Sequence, residues 1–262
     1  MPSIDDGRDI LTAVLLDDDP RPGLWELVDT GLADDLVPEL PALKLEQDPI
    51  HRHKDVLAHT IAVTAQTRAD LTLRLSALFH DVGKPHTRSY EHGGVTFRHH
   101  EAVGAKMTKK RLRALEFPAP LVKDVAELVR LSGRFKGYAD GWSDAAVRRY
   151  ARDAGHLLGL LNELVRADCT TRNERKRVEL REHVDHLQHR INELAEADRR
   201  AAERPLIDGD AVMARLGLGP GPDIGAALRF LLELKRDEPD LDLTATEARL
   251  DAWWAERRAP TA

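Results

Sequence analysis

The chain is almost devoid of cysteine. Cys169 is the single one in 262 residues, so no disulfide framework can hold the fold, and a reducing cytosol is the expected setting. No apolar run approaches the roughly 20 residues needed to span a bilayer, which excludes a hydrophobic helical span. The opening stretch, Met1-Pro2-Ser3-Ile4-Asp5-Asp6, is acidic and resembles neither a signal nor a transit peptide. Tandem repeats and low-complexity tracts are missing. Alternating, strand-like runs are scarce; the best candidate, Thr87 to Phe97 around Gly93-Gly94, reads as a loop or a small hairpin. The length allows one large domain or two small ones, with a core of useful size.

Helical periodicity fills the space these absences leave. Leu71, Leu75, Leu78, Phe79 and Val82 recur at helical spacing, and Gly83 and Pro85 are expected to end that run. Leu121, Val125, Leu128 and Val129 repeat the pattern, as do Leu157, Leu161, Leu164 and Val165. Residues 173–203 are highly charged, with a narrow seam of Leu180, Val184, Leu187, Ile191 and Leu194. That seam suits a helical hairpin or a coiled partner, and packing on its own C-terminal neighbours is the expected use. Pro205 closes the segment. Gly217 to Pro222 form a turn between two further helices, and Trp253 and Trp254 sit on a last one. The fold class is therefore all-α.

Charge is distributed unevenly. Residues 1–50 carry 13 acidic and 3 basic side chains, a balance of −10 within a chain of net −6, which leaves +4 for the remainder. Basic residues cluster at Lys106 to Arg113, Arg130 to Lys136, Arg148 to Arg152 and Arg172 to Arg177. They read as solvated helix faces or as a surface that attracts phosphate.

Four residues in this helical background carry chemistry. His59 precedes Ile61, Ala62 and Ala65 on an inward-facing helix. His80 and Asp81 sit in Leu78-Phe79-His80-Asp81-Val82-Gly83-Lys84, where neighbours about 100° apart on a helix reach one point between them. Asp168 continues the stripe of Leu157, Leu161, Leu164 and Val165, and a carboxylate on an apolar stripe is costly unless a cation or donor meets it. Imidazole nitrogen and carboxylate oxygen together suit one divalent ion (Mg, Mn, Fe, Co, Ni or Zn), and such a site points to metal-assisted hydrolysis of a phosphate ester. Lys84 is placed either for a substrate phosphate or to balance a helix C-terminus. Arg172 and Lys176, just after Asp168, bind phosphate or are simply solvated. His100 and Glu101 support the ligands or transfer protons, whereas His99 is expected at the surface.

The order His…His-Asp…Asp resembles the HD superfamily of metal-dependent phosphohydrolases. More closely, the chain resembles the C-terminal part of CCA-adding tRNA nucleotidyltransferases of the actinobacterial type. The resemblance rests on Gly23-Leu24-Trp25-Glu26-Leu27-Val28-Asp29-Thr30-Gly31-Leu32, on Gln47 to Thr60 with His51 and His53, on the His-Asp run, on Phe97-Arg98-His99-His100-Glu101, on Asp168-Cys169-Thr170-Thr171-Arg172-Asn173 and on the final Pro/Gly turn. It implies an HD-domain helical bundle with an additional C-terminal helical subdomain: an acidic helical neck at 1–50, the HD domain with a long closing helix at 51–203, and a helical tail at 204–262. It also implies a phosphate-binding role for Lys84.

Two departures from that pattern shape the functional expectation. The family's catalytic head carries a Gly-Ser motif and paired aspartates; no Gly-Ser dipeptide occurs here, and nothing before His51 reads as that β-sheet domain. Nucleotidyl transfer by this chain alone is therefore not expected. Histidines of such relatives are replaced by Ser132 and Lys136, which implies a mononuclear or weakened metal site. The leading expectation is a cytoplasmic hydrolase of a phosphomonoester or 2′,3′-cyclic phosphodiester on a nucleotide or RNA 3′ end, tRNA included. The alternatives are a non-catalytic RNA-binding module and the body half of a split nucleotidyltransferase. The partners implied are the nucleotide or RNA, a second copy of the chain, or a separate head protein, and no membrane.

Overall fold

The computed structural model describes residues 4–45, 55–91, 94–171 and 173–258. Its elements in chain order are α1 (Ile4–Leu16), α2 (Pro20–Asp29), α3 (Leu32–Leu36), α4 (Val56–Gln66), α5 (Leu71–Phe79), α6 (Lys84–Thr87), β1 (Arg88–Glu91), β2 (Gly94–Phe97), α7 (His100–Ala114), α8 (Ala119–Leu131), α9 (Asp144–Ala154), α10 (Leu158–Ala167), α11 (Glu174–Ala202), α12 (Gly209–Leu216), α13 (Pro222–Asp237) and α14 (Leu243–Arg258). The protein is all-α apart from the β1–β2 hairpin, whose antiparallel register sets Arg88 opposite Phe97. The chain divides into two compact units, Met1–Asn192 and Glu193–Ala262. No helix among the described residues is long and apolar enough to cross a membrane.

Acidic caps start several helices. The carboxylates of Asp19, Asp55 and Asp70 accept from the backbone N–H groups of Arg21, Leu57 and Leu73, which would otherwise lack a partner in the first turn. The apolar faces of α1 and α2 then enter the same core as α4, α5, α7 and α8: Leu11, Leu15 and Leu24 join Leu57, Ile61, Leu75, Leu78, Phe79, Leu112, Val125 and Val129. The acidic character of this segment is thus a property of its outer surface. Buried Arg74 closes the C-terminal end of α1, donating to the carbonyls of Leu15 and Asp17 and, at 3.3 Å, to that of Thr67. A guanidinium suits that place because the last carbonyls of a helix are unpaired and partly negative.

The α5 helix ends earlier than its apolar spacing suggests. His80 is its C-cap, and the chain continues in a tight turn in which Val82 N donates to Phe79 O at 3.3 Å and Lys84 N to Asp81 O at 2.9 Å. Pro85 does not terminate anything; it lies in the first turn of α6, where its missing N–H costs nothing. Gly83 is required by a close approach, since a Cβ there would stand 2.1 Å from the carbonyl oxygen of His100.

On α11 the expected seam is fully buried only in its middle, with Leu180 and Leu194 half-buried. Its buried residues are Val184, Leu187 and Ile191, and the flanking polar groups bind elements that precede it in the chain. Arg166 on α10 pairs with Asp185, Tyr138 Oη lies 2.9 Å from His186 Nδ1, and Asn162 Nδ2 donates to Gln188 Oε1 at 2.8 Å. Asn162 Oδ1 in turn accepts from Tyr150 Oη at 2.8 Å, so a chain of hydrogen bonds joins α9, α10 and α11. The C-terminal unit has its own core of Ile207, Val212, Ile224, Ala227, Leu231 and Leu250, with Phe230 and Trp253 stacked at 5.0 Å.

Candidate metal centre

Three helices deliver the site. His59 projects from α4, His80 caps the end of α5, and Asp168 caps the end of α10. His59 Nε2 lies 3.0 Å and His80 Nε2 3.5 Å from Asp168 Oδ1. Both separations fall inside the roughly 4.4 Å that divides opposite ligands bound about 2.2 Å from one ion. Asp81 Oδ2 stands 3.2 Å from His80 Nε2 and 3.7 Å from His59 Nε2. The two imidazoles meet edge to face, with ring centroids 5.4 Å apart.

The outer nitrogen of each imidazole is held in place. His80 Nδ1 lies 2.7 Å from the carbonyl oxygen of Ala77, so it carries the proton and donates. His59 Nδ1 lies 2.9 Å from the hydroxyl of Thr170. The inner nitrogen of His80 is buried with no hydrogen-bond partner, and it faces the oxygens of Asp81 and Asp168. A lone pair aimed at two carboxylates is repulsive unless a positive charge lies between them, either a second proton on the ring or a metal ion. The donor set is two imidazoles and two carboxylates around one orphaned nitrogen. It fits a divalent ion that His59, His80 and Asp168 could hold, with Asp81 beside them.

The electrostatics express the same demand for positive charge. Burial opposes a charge on His80, but Asp81 and Asp168 outweigh it and its pKa is pushed up to about 10. Burial likewise pushes the Asp81 carboxyl upward, but His80, Lys84 and His59 hold it well below the usual carboxylate range. Asp168 is treated the same way by His59 and His80. His100 goes in the opposite direction: its burial, to which the nearby Lys136 charge adds, lowers its pKa against the pull of Phe97 O, Asp81 and Glu101.

Around the cluster lies a cavity of about 970 Å³ lined by Lys84, His100, Ser132, Lys136, Cys169 and Thr171 in addition to the four acids and imidazoles. The Asp168 side chain is 43% exposed, so the site is open to solvent from that side. Lys84 is buried. It opens α6 rather than ending a helix, and its Nζ donates to Asp81 Oδ2 at 2.6 Å and lies 5.6 Å from the Phe97 ring. Its charge is therefore spent first on Asp81, and the reading as a macrodipole-balancing lysine is corrected. His100 presents Nε2 3.5 Å from Asp81 Oδ1, while its Nδ1 lies 2.8 Å from Phe97 O and 3.5 Å from Glu101 Oε2.

The other expected residues are dispersed. Ser132 lines the cavity, but its hydroxyl donates to Val129 O at 2.9 Å, as a helix-end serine does. Lys176 is exposed in the first turn of α11 and is not part of the cavity lining. His99 is exposed, with φ of 62°. Arg172, His51 and His53 fall outside the described residues. Several arginines of the basic clusters are paired with carboxylates: Arg111 with Glu39, Arg130 with Glu127, Arg134 with Asp153. Sequence reasoning missed Thr170, which orients His59 across 111 positions of chain, and Asp55, which lines the cavity while capping α4. Asp55 was accessible in principle, as an Asp directly before an apolar helix; Thr170 leaves no local signal.

The chain is similar to two characterised proteins. It is 36% identical over 236 residues to the A-adding tRNA nucleotidyltransferase of Deinococcus radiodurans, a match that covers 87% of this chain and 53% of that protein. It is 35% identical over 249 residues to the CC-adding tRNA nucleotidyltransferase of Thermus thermophilus, covering 90% of this chain and 54% of that protein. The chain thus spans about half the length of the curated relatives it matches. The HD domain family matches residues 56–203, the segment that contains all four residues of the cluster. On that match and on the geometry of His59, His80, Asp81 and Asp168, the chain belongs to the HD domain family.

Proposed function

We propose that this chain is a metal-dependent phosphohydrolase acting on a phosphomonoester or a 2′,3′-cyclic phosphodiester of a nucleotide or an RNA 3′ end. The observation that carries the reading is the buried, unpartnered Nε2 of His80 facing two carboxylates at the floor of an open cavity. His59, His80, Asp81 and Asp168 are the groups that hold the ion. A divalent cation bound there supplies Lewis acidity toward water and a phosphoryl oxygen. Lys84 keeps Asp81 ionised and oriented through its 2.6 Å contact. His100, its Nδ1 held on Phe97 O, keeps Nε2 at the cavity for proton transfer, and Glu101 steadies the ring. Arg172 and Lys176 remain proposals for outlying phosphate contacts.

Similarity to two tRNA nucleotidyltransferases supports a second reading, a module that binds an RNA end without hydrolysing it. Elemental analysis of the purified protein, followed by assays on phosphomonoesters and 2′,3′-cyclic nucleotides with Mg, Mn, Fe, Co, Ni and Zn, separates the two. The hydrolase reading predicts stoichiometric metal and metal-dependent turnover that His80→Ala abolishes. A protein that takes up no metal and cleaves nothing, yet binds RNA equally well with or without His80, would favour the module.

A further inference from the structure

The cavity brings two lysines to the cluster, and they are not equivalent. Lys84 Nζ is buried and engaged with Asp81 at 2.6 Å. Lys136 also lines the cavity, but its side chain is 71% exposed and its partner among the described residues, Glu101 Oε1, stands at 3.5 Å, the outer limit of a hydrogen bond. The backbone beneath it is held firmly. Ser132–Phe135 forms a turn of 3-10 helix that the Lys136 N–H closes on Gly133 O. Phe135 and Tyr138 on either side are buried and stacked at 5.4 Å. Gly133 presses on Glu101 so closely that a Cβ would stand 2.0 Å from Oε1. Arg134, the other cation of this turn, is spent on Asp153 at 2.6 Å. A flexible ammonium on a fixed base, weakly engaged, lining the same cavity as the His59, His80, Asp81 and Asp168 cluster, has the properties of a group that receives an anion.

We propose that Lys136 is the substrate-positioning cation of the site: it leaves Glu101 and binds a phosphoryl oxygen of the phosphate ester, while Lys84 serves Asp81. This rests on the phosphohydrolase reading for the identity of the substrate, but not for the binding of phosphate itself. Lysine suits the role because a compact ammonium on a four-carbon stem follows a phosphate as a point charge.

The test uses two readouts on the full chain. The first is binding of inorganic phosphate to wild type, Lys136→Gln and Lys136→Arg by calorimetry. The second is KM and kcat on the ester that wild type cleaves best. Lys136→Gln is expected to weaken phosphate binding and to raise KM by about 10-fold, as loss of one charge-assisted hydrogen bond does, with kcat changed far less; Lys136→Arg should restore most of both. If wild type hydrolyses nothing but binds phosphate through Lys136, the hydrolase reading fails and the assignment of Lys136 stands. If wild type binds phosphate or cleaves an ester and Lys136→Gln does so equally well, the assignment falls and the hydrolase reading stands. Absence of phosphate binding in wild type and of any change in KM overturns the assignment too.

Discussion

Two polar clusters, each with buried members, meet α10 and behave in opposite ways. At its middle, Asn162 joins Tyr150 and Gln188 in a chain in which each donor meets an acceptor at 2.8 Å. At its end, Asp168 joins His59, His80 and Asp81, where an unpartnered nitrogen meets carboxylate oxygens at 3.2 and 3.5 Å. The first cluster is complete with the residues it has, and its hydrogen bonds locate α9 and α11 on α10. The second needs a positive charge between the His80 nitrogen and the two carboxylates, either a second ring proton or a metal ion. Polar burial alone therefore does not mark a candidate metal site; an unpartnered imidazole nitrogen facing two carboxylates does.

The strongest way to break this contrast is Asp81→Ala. It removes a carboxylate from the imbalanced cluster and also strands Lys84, which is buried against it. Metal-dependent hydrolysis should fall to background, and stability should drop by about 3–5 kcal/mol, the cost of breaking a buried pair from one side. Circular dichroism should show helical content retained. Full activity in this variant would make Asp81 structural and require another ligand set.

A paired substitution on α10 sharpens the comparison. Asp168→Asn should lower metal affinity by more than the ~10–100-fold that loss of an outer hydrogen-bonding partner costs. Asn162→Ala should leave metal affinity alone and cost about 1–3 kcal/mol of stability by orphaning Tyr150 and Gln188. Metal titration and denaturant unfolding of both variants decide the matter; reversed phenotypes would mean that the clusters have been assigned the wrong way round.

A more gradual effect is expected from pH. His80 has its pKa raised from 6.5 to about 10 by Asp81 and Asp168 against the cost of burial. A group raised in the folded state contributes stability that is fully present below about pH 6.5 and is lost as pH rises through about 10. The metal-free protein should therefore lose thermal stability across that window. The ion replaces the proton, so the loaded protein should keep its stability and the metal affinity should rise with pH. Equal pH profiles with and without metal would show that His80 does not bind the ion.

The smallest change is expected at Ser132, whose hydroxyl is already occupied by Val129 O. Wild type should bind one ion per chain, and Ser132→His should raise metal stoichiometry or turnover. Two ions in wild type with neither quantity altered by the substitution would make Ser132 a packing residue.

Local regularities let the sequence by itself determine the helical class, and they marked the seam of α11 and, with the His…His-Asp…Asp order, the four candidate residues that the fold brings together. Apolar spacing is a property of neighbouring residues, and an acid on an apolar stripe is conspicuous without any coordinates. The end of α5 was less legible: Gly83 and Pro85 look like a stop signal, but one answers to His100 and the other opens α6. What only the tertiary structure decided are relations between distant segments. His59 and Asp168 meet across 109 positions. Thr170 fixes the outer nitrogen of His59, Lys84 is drawn onto Asp81, and Gly133 seats the Lys136 turn against Glu101. Hydrogen-bond balance and charge pairing act over a few ångströms in space, whatever the separation along the chain, so no window of sequence contains them.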